Sequence, residues 1–264
     1  MEHRLRARSS TVNQLVIVGD SWSCGEWIHQ RQFGEWIHQS DKSLKLNHPG
    51  MTEYLPYKTL NLSKGGASNW QSLYSMFNLM NQRQHTDGDY AIIVFQSDPT
   101  RSRQADQFDV DVKSFIKTAD SLLNLYVKLT EIFYMKIAMF AKQFDVPIYI
   151  SGGLSDVDES LFSLYNNKEN IICTSWIKLL HQQHRPSIIP LQFDSDLFKT
   201  AKELDRLDLC DEIAEYNDNN FVEFTKVVGL DTFGPSFCDF HPSRQGHKIM
   251  AEHITNFIET QSNA

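Results

Sequence analysis

Five short apolar runs, at 15–18, 57–62, 90–95, 146–150 and 170–174, punctuate the chain. Each is rich in β-branched or aromatic residues and is bounded by turn formers, so each reads as a buried strand. Between and after them, apolar positions recur at steps of three and four. Leu73, Phe77 and Met80 mark one helix. Leu122, Leu125, Leu129, Ile132, Phe133, Ile137 and Phe140 mark a long one, and Met250, Ile254 and Phe257 mark the last. Such spacing gives a single apolar face. Strands alternating with helices predict an α/β fold, a three-layer α/β/α sandwich around a mostly parallel sheet of about five strands. In sheets of this kind, sites form at the carboxyl ends of the strands.

Two segments resist the alternation. Residues 22–54 hold a repeat, in which Gly25-Glu26-Trp27-Ile28-His29-Gln30 returns as Gly34-Glu35-Trp36-Ile37-His38-Gln39. Two copies do not make a solenoid, and the reading is a local duplication near the site. Residues 181–230 are acidic and mixed, with a helix-like stretch at 203–209. They read as an insertion, either a solvated face or a lid. No low-complexity linker divides the chain, so 1–264 is read as one domain with insertions near 25–55 and 181–230.

Four places carry chemistry. The first strand closes in Gly19-Asp20-Ser21, a turn that exposes one hydroxyl; Ser23 and Glu26 beyond it have capping-box spacing. A serine at a strand-to-helix junction has amides nearby that can receive an oxyanion. The second strand is followed by Asn61-Leu62-Ser63-Lys64-Gly65-Gly66-Ala67-Ser68-Asn69-Trp70, in which Gly66 precedes a helix and Ser68 and Gln71 again have capping-box spacing. The third strand ends abruptly in Gln96-Ser97-Asp98-Pro99, where Asp98-Pro99 begins a turn and Gln96 or Ser97 offers a side-chain donor. Near the end, Asp239-Phe240-His241-Pro242 precedes the final helix. An imidazole shuttles protons near neutral pH, and an adjacent carboxylate fixes its tautomer.

Charge narrows the partners. With 25 Lys and Arg against 33 Asp and Glu the net charge is -8, which argues against nucleic acid. Arg4, Arg6 and Arg8 make a basic start with no apolar stretch directly after it, so no secretory signal is evident. No apolar run approaches the ~18 residues of a membrane span. Cys24, Cys173, Cys210 and Cys238 lack paired metal spacing and read as reduced thiols of a cytoplasmic protein. His181 with His184, and His247 with His253, lack the spacing or the further ligand of a metal centre, so no metal is expected. Trp27, Trp36 and Trp70 are read by default as core residues, with the lining of a sugar cleft as the alternative.

Taken in order, the four motifs resemble those of the SGNH hydrolases, also called GDSL-type esterases and lipases. Gly19-Asp20-Ser21 matches the family's first block, Gly66 the glycine of its second, and Asp239 and His241 fall in its last. The Gly-Asp-Ser-Trp opening and Gly-Gly-Ala-Ser-Asn are also similar to a divergent phage and bacterial branch. The resemblance implies a flavodoxin-like SGNH fold and a serine esterase with Ser21 as nucleophile, His241 as base and Asp239 as acid. It implies an oxyanion held by Ser21 and Gly66, aided by Gln96 or Ser97, and no cofactor. The substrate is then a small-molecule or carbohydrate ester, and virion association is an alternative setting to the cytoplasm if the chain is phage-encoded. Two departures stand out. Phe95-Gln96-Ser97-Asp98 occupies the place of Gly-x-Asn-Asp, so Ser97, Gln96 or Asn69 replaces the usual Asn donor. Asp239 stands two residues before His241, where the family has three, a spacing that places Cys238 at the acid position. A non-catalytic binding or structural accessory on the same fold is the competing reading.

Overall fold

Every one of the five apolar runs becomes a strand of one sheet. The computed structural model describes residues 12–27, 46–83, 90–153, 155–181, 195–216, 237–238, 241–242 and 244–262. The strands are β1 (Gln14–Val18), the short pair β2 (Glu26–Trp27) and β3 (Leu46–His48), then β4 (Lys58–Asn61), β5 (Tyr90–Phe95), β6 (Ile148–Ser151) and β7 (Ile171–Cys173). A second short pair, β8 (Phe237–Cys238) and β9 (His241–Pro242), follows late in the chain. The main sheet runs β4-β1-β5-β6-β7. All of its pairings are parallel, with Val16 opposite both Leu60 and Ile92 and Val94 opposite Ile150. This is the flavodoxin-like strand order.

The helices are α1 (Ser21–Cys24), α2 (Asn69–Arg83), α3 (Val112–Thr118), α4 (Leu122–Phe144), α5 (Glu159–Phe162), α6 (Trp176–His181), α7 (Ser195–Glu203), α8 (207–216) and α9 (Arg244–Ser262). They cover both faces of the sheet. Val16, Val18, Ile92, Val94, Ile148 and Ile150 point to one side, into a core shared with Leu73 and Met76 of α2 and Leu129, Phe133 and Ile137 of α4. The intervening Leu15, Ile17, Ala91, Ile93, Phe95 and Tyr149 point to the other, against Trp22, Met51, Trp176 and Met250, Ile254 and Ile258 of α9. Two buried faces explain why these strands read as continuous apolar runs rather than alternating ones. Truncating a side chain such as the fully buried Phe133 to alanine removes about 3–5 kcal/mol of stability.

Local signals account for several boundaries. Helix α2 begins in the expected capping box: Ser68 Oγ accepts from Gln71 N at 3.1 Å and Gln71 Oε1 accepts from Ser68 N at 3.0 Å. Helix α4 is capped by Ser121, which accepts from Asn124 N, and stops at Asp145 in the left-handed region at φ 52°. Two expectations change. Ser23 and Glu26 form no capping box, because Asp20 caps α1 and Glu26 has already entered β2. The stretch at 203–209 is a break rather than a helix, since α7 ends at Glu203, Asp205 takes φ 57° and a new helix starts at 207. For Trp70 the default reading holds: it is fully buried against Phe108 and Phe133, so it is core and not cleft. Much of the internal repeat, Trp36 included, and 182–194 and 217–236 of the acidic insertion lie outside the described residues. Among the described residues no helix is long and apolar enough to cross a membrane.

Candidate active site

The chain leaves β1, makes β4 on one side of it, then crosses back to place β5 on the other side. The crevice between the carboxyl ends of β1 and β5 is therefore a topological switch point, the usual ligand position in open parallel sheets. Gly19-Asp20-Ser21 and Gln96-Ser97-Asp98 end the two strands that form it.

Gly19 is glycine because there is no room for anything else. A Cβ there lies 2.4 Å from Ser23 Oγ and 2.6 Å from the Cβ of Phe95. This close approach lets the chain turn at once into α1. Asp20 caps that helix, its Oδ1 accepting from Trp22 N at 3.0 Å. Ser21 is the first helical residue and is half-buried.

The loop after β4 is laced to this turn. Lys64 N donates to Gly19 O at 3.1 Å, Asn61 Nδ2 to Ser23 O at 2.8 Å, and Ser23 Oγ to Ser63 Oγ at 2.8 Å. Residues 64–67 form a turn closed by Ala67 N to Lys64 O at 3.0 Å, with Gly66 at its third position and φ 69°. That position demands a residue free to adopt positive φ. Gly66 is exposed and has nothing within 4 Å of where a Cβ would stand. Beside Gly19, a pocket of about 180 Å³ opens between this loop and α2, lined in part by Lys64, Gln71, Ser72 and Asn78.

The loop after β5 is equally tied down. Asn69, fully buried at the start of α2, accepts from Ser97 N at 2.7 Å and donates to Ser97 O at 3.1 Å. Asp98-Pro99-Thr100-Arg101 is a turn, as its sequence predicts, with Arg101 N on Asp98 O at 3.2 Å and Asp98 Oδ1 accepting from both Thr100 N and Thr100 Oγ1. Ser97 Oγ donates to Ala67 O at 2.8 Å. Gln96 is fully buried, its Nε2 donating to Asp156 O at 2.8 Å and its Oε1 accepting from Tyr134 Oη at 2.7 Å. All three candidate side-chain donors, Asn69 included, are thus engaged within the protein. The Ser97 hydroxyl lies between Ala67 O and the Asp20 carboxyl, and the Gln96 amide is drawn toward α4.

Among the described residues, Asp20 and Arg101 form a charge pair in the crevice. The Asp20 carboxyl is pushed above the usual carboxylate range, chiefly by burial, and Arg101 opposes that shift. Arg101 Nη1 stands 3.7 Å from Asp20 Oδ2. Burial, with the Asp20 charge behind it, pushes the Cys24 thiol up to about 12, and burial does the same to Cys173. These two are packed, protonated thiols rather than nucleophiles.

The far end of the chain returns to this place. Cα atoms of β9, which holds His241, come within 8 Å of those of α1, β2 and α9. Cys238 pairs with His241 across the β8–β9 ladder. Asp239 lies outside the described residues, and the side chains of His241 and Cys238 are likewise not described. Sequence reasoning therefore brought Ser21, Gly66, Ser97 and the His241 strand to one end of the sheet, while it missed Arg101, Tyr134 and Asp156. Arg101 had one visible signal, a cation two residues past a Pro turn at a strand end. His247 was considered only as half of a pair unsuited to a metal; it is fully buried on α9, and a Cβ on Gly50 lies 3.1 Å from its ring.

No family model matches the chain, and no curated protein matches it in sequence. Among solved structures it is similar to the esterase EstA from Pseudoalteromonas sp., at 10% identity over 96% of this chain and 100% of that one, with a TM-score of 0.38. It is also similar to the acetylxylan esterase Axe2 from Geobacillus stearothermophilus, at 14% identity over 93% of this chain and 94% of that one, with a TM-score of 0.36. Likeness at this level assigns neither residues nor activity to this chain.

Proposed function

We propose that the chain is a serine esterase of the SGNH type, acting on an O-acyl ester of a carbohydrate or small alcohol. The observation that carries this reading is convergence at the switch point. A half-buried serine opens a helix there, and the strand bearing His241 packs beside that helix although 220 residues of sequence separate the two. In the reaction, Ser21 Oγ attacks the acyl carbonyl while His241 takes its proton. The Ser21 and Gly66 amides hold the tetrahedral oxyanion. His241 then returns the proton to the departing alcohol, leaving an acyl ester on Ser21. Water, deprotonated by His241, attacks that ester, and the imidazolium returns the proton to Ser21 Oγ as the acid leaves. Asp239 orients the imidazole. Neither metal nor organic cofactor is required by this chemistry, and the pocket beside Gly19 is space for one arm of the ester.

The engagement of Gln96 and Ser97 favours a second reading, a binding protein that has kept the fold and lost a donor. Loss of one oxyanion donor costs about 100- to 1,000-fold in turnover. Hydrolysis of p-nitrophenyl acetate and of acetylated sugars by wild type, Ser21→Ala and His241→Ala separates the two. The esterase reading expects release by wild type and its collapse in both variants with unfolding temperatures unchanged. Equal background rates in all three support the binding protein.

A further inference from the structure

We propose that Arg101 is the positioning residue of the nucleophile turn, one guanidinium nitrogen holding the loops after β1, β4 and β5 in a single arrangement. The inference rests on the reading of Ser21 as nucleophile. Three oxygens converge on Nη1: it donates to Ser97 Oγ at 3.1 Å and to Ala67 O at 3.3 Å, and pairs by charge with Asp20 Oδ2 at 3.7 Å. Each belongs to a different strand-end loop. The bond from Ser97 Oγ to Ala67 O closes the figure, so the three loops and the cation brace one another. Asp20 caps α1 and immediately precedes Ser21, so whatever fixes Asp20 fixes the first turn that carries the hydroxyl.

Arg101 is itself held in place. Its backbone ends the Asp98-Pro99 turn, which Thr100 locks through two bonds to Asp98. Its side chain is 21% exposed, and among the described residues Nε and Nη2 make no hydrogen bond, so one edge of the guanidinium is paired and the other is wet. A planar fork pre-organised in this way loses less freedom than a lysine would. Among the described residues, the groups facing the Asp20 carboxylate are the Trp22 amide, Ser97, Cys24 and Arg101, and of these Arg101 alone carries a positive charge. Without it no described cation faces this fully buried carboxylate.

The test compares wild type with Arg101→Gln, Arg101→Ala and Arg101→Lys. Misplacing a nucleophile by about 1 Å costs up to about 100-fold. Arg101→Gln is expected to lower kcat by roughly 10- to 100-fold with little change in KM, and Arg101→Lys to recover part of the loss. Millimolar guanidinium is expected to restore turnover to Arg101→Ala. The acid limb of kcat/KM moves to higher pH in Arg101→Gln, because removing the cation raises the pH at which Asp20 ionises. Carbon-13 titration of the Asp20 carboxyl reads the same shift without any turnover. A folded Arg101→Gln with wild-type kcat, pH profile and Asp20 midpoint overturns the proposal. If Arg101→Gln does not fold, Arg101→Lys and the rescue of Arg101→Ala carry the test, and absence of both effects overturns it. Phosphonylation of Ser21 in wild type reports separately on the nucleophile. Its failure counts against the esterase reading, while the Asp20 titration still judges Arg101.

Discussion

Gly19 and Gly66 flank the same crevice for different physical reasons, and substituting each separates them. In Gly19→Ala the new methyl meets Phe95 Cβ at 2.6 Å and Ser23 Oγ at 2.4 Å. Phe95 cannot retreat, because β5 is fixed to β1 by pairing as close as Val18 opposite Val94. Ser23 can rotate, but only by giving up its bonds to Asp20 O and Ser63 Oγ. Overpacking of this kind costs about 1–3 kcal/mol, and a lost hydrogen bond adds about 1 kcal/mol. A total near 3 kcal/mol lowers Tm by roughly 6–12 °C in a chain of this size. Gly66 faces open space, so Gly66→Ala suffers only from its φ of 69°, about 1–2 kcal/mol. Asparagine tolerates that conformation. Gly66→Asn is therefore expected to be milder than Gly66→Ala, whereas Gly19→Asn is worse than Gly19→Ala. Thermal unfolding followed by circular dichroism ranks the four. A Gly19→Ala protein as stable as wild type, or Asn worse than Ala at position 66, refutes the reasoning.

Further outcomes follow from the buried polar groups. Tyr134→Phe removes the hydroxyl that donates to Gln96 Oε1 at 2.7 Å and accepts from Asp158 N at 3.1 Å; the loss is expected at about 1–3 kcal/mol per orphaned group, read by urea denaturation. The Asp156 carboxyl is raised above its ordinary value mainly by burial, with Lys178 at 3.3 Å only partly offsetting it. A raised acid binds more protons folded than unfolded, so it makes stability fall as pH climbs from its unfolded to its folded value. Asp156→Asn removes that term, so its stability relative to wild type should be greatest at neutral pH and shrink on acidification; a difference that does not vary with pH contradicts this. Native iodoacetamide treatment at pH 8 followed by peptide mapping should leave Cys24 and Cys173 unmodified, because both are buried and pushed up to about 12.

The sheet was legible because its signal is local. Residues 90–95 are apolar on both faces of one strand, and no other element type fits so short a β-branched run bounded by turns. Ser68 with Gln71 and Asp98 with Pro99 were legible for the same reason, since cap and turn partners lie within three residues of each other. Ser23 with Glu26 carried the same spacing and failed, because the short α1 is already capped by Asp20 and has ended before Glu26. The parts of the site that were not legible depend on distant partners. Arg101 meets Asp20 across 81 positions, and Gln96 is drawn off by Tyr134 of α4 and by Asp156 of the loop after β6. A polar side chain at a strand end announces a candidate donor, and only the fold decides whether its protons are already taken.

The central claim, that Ser21 is an activated nucleophile, is tested most directly by intact-mass and peptide analysis after exposure to a fluorophosphonate. The account predicts one adduct per chain, located on Ser21, that forms slowly or not at all in His241→Ala. An unmodified Ser21 in folded wild-type protein, or an adduct that forms equally fast without His241, contradicts it.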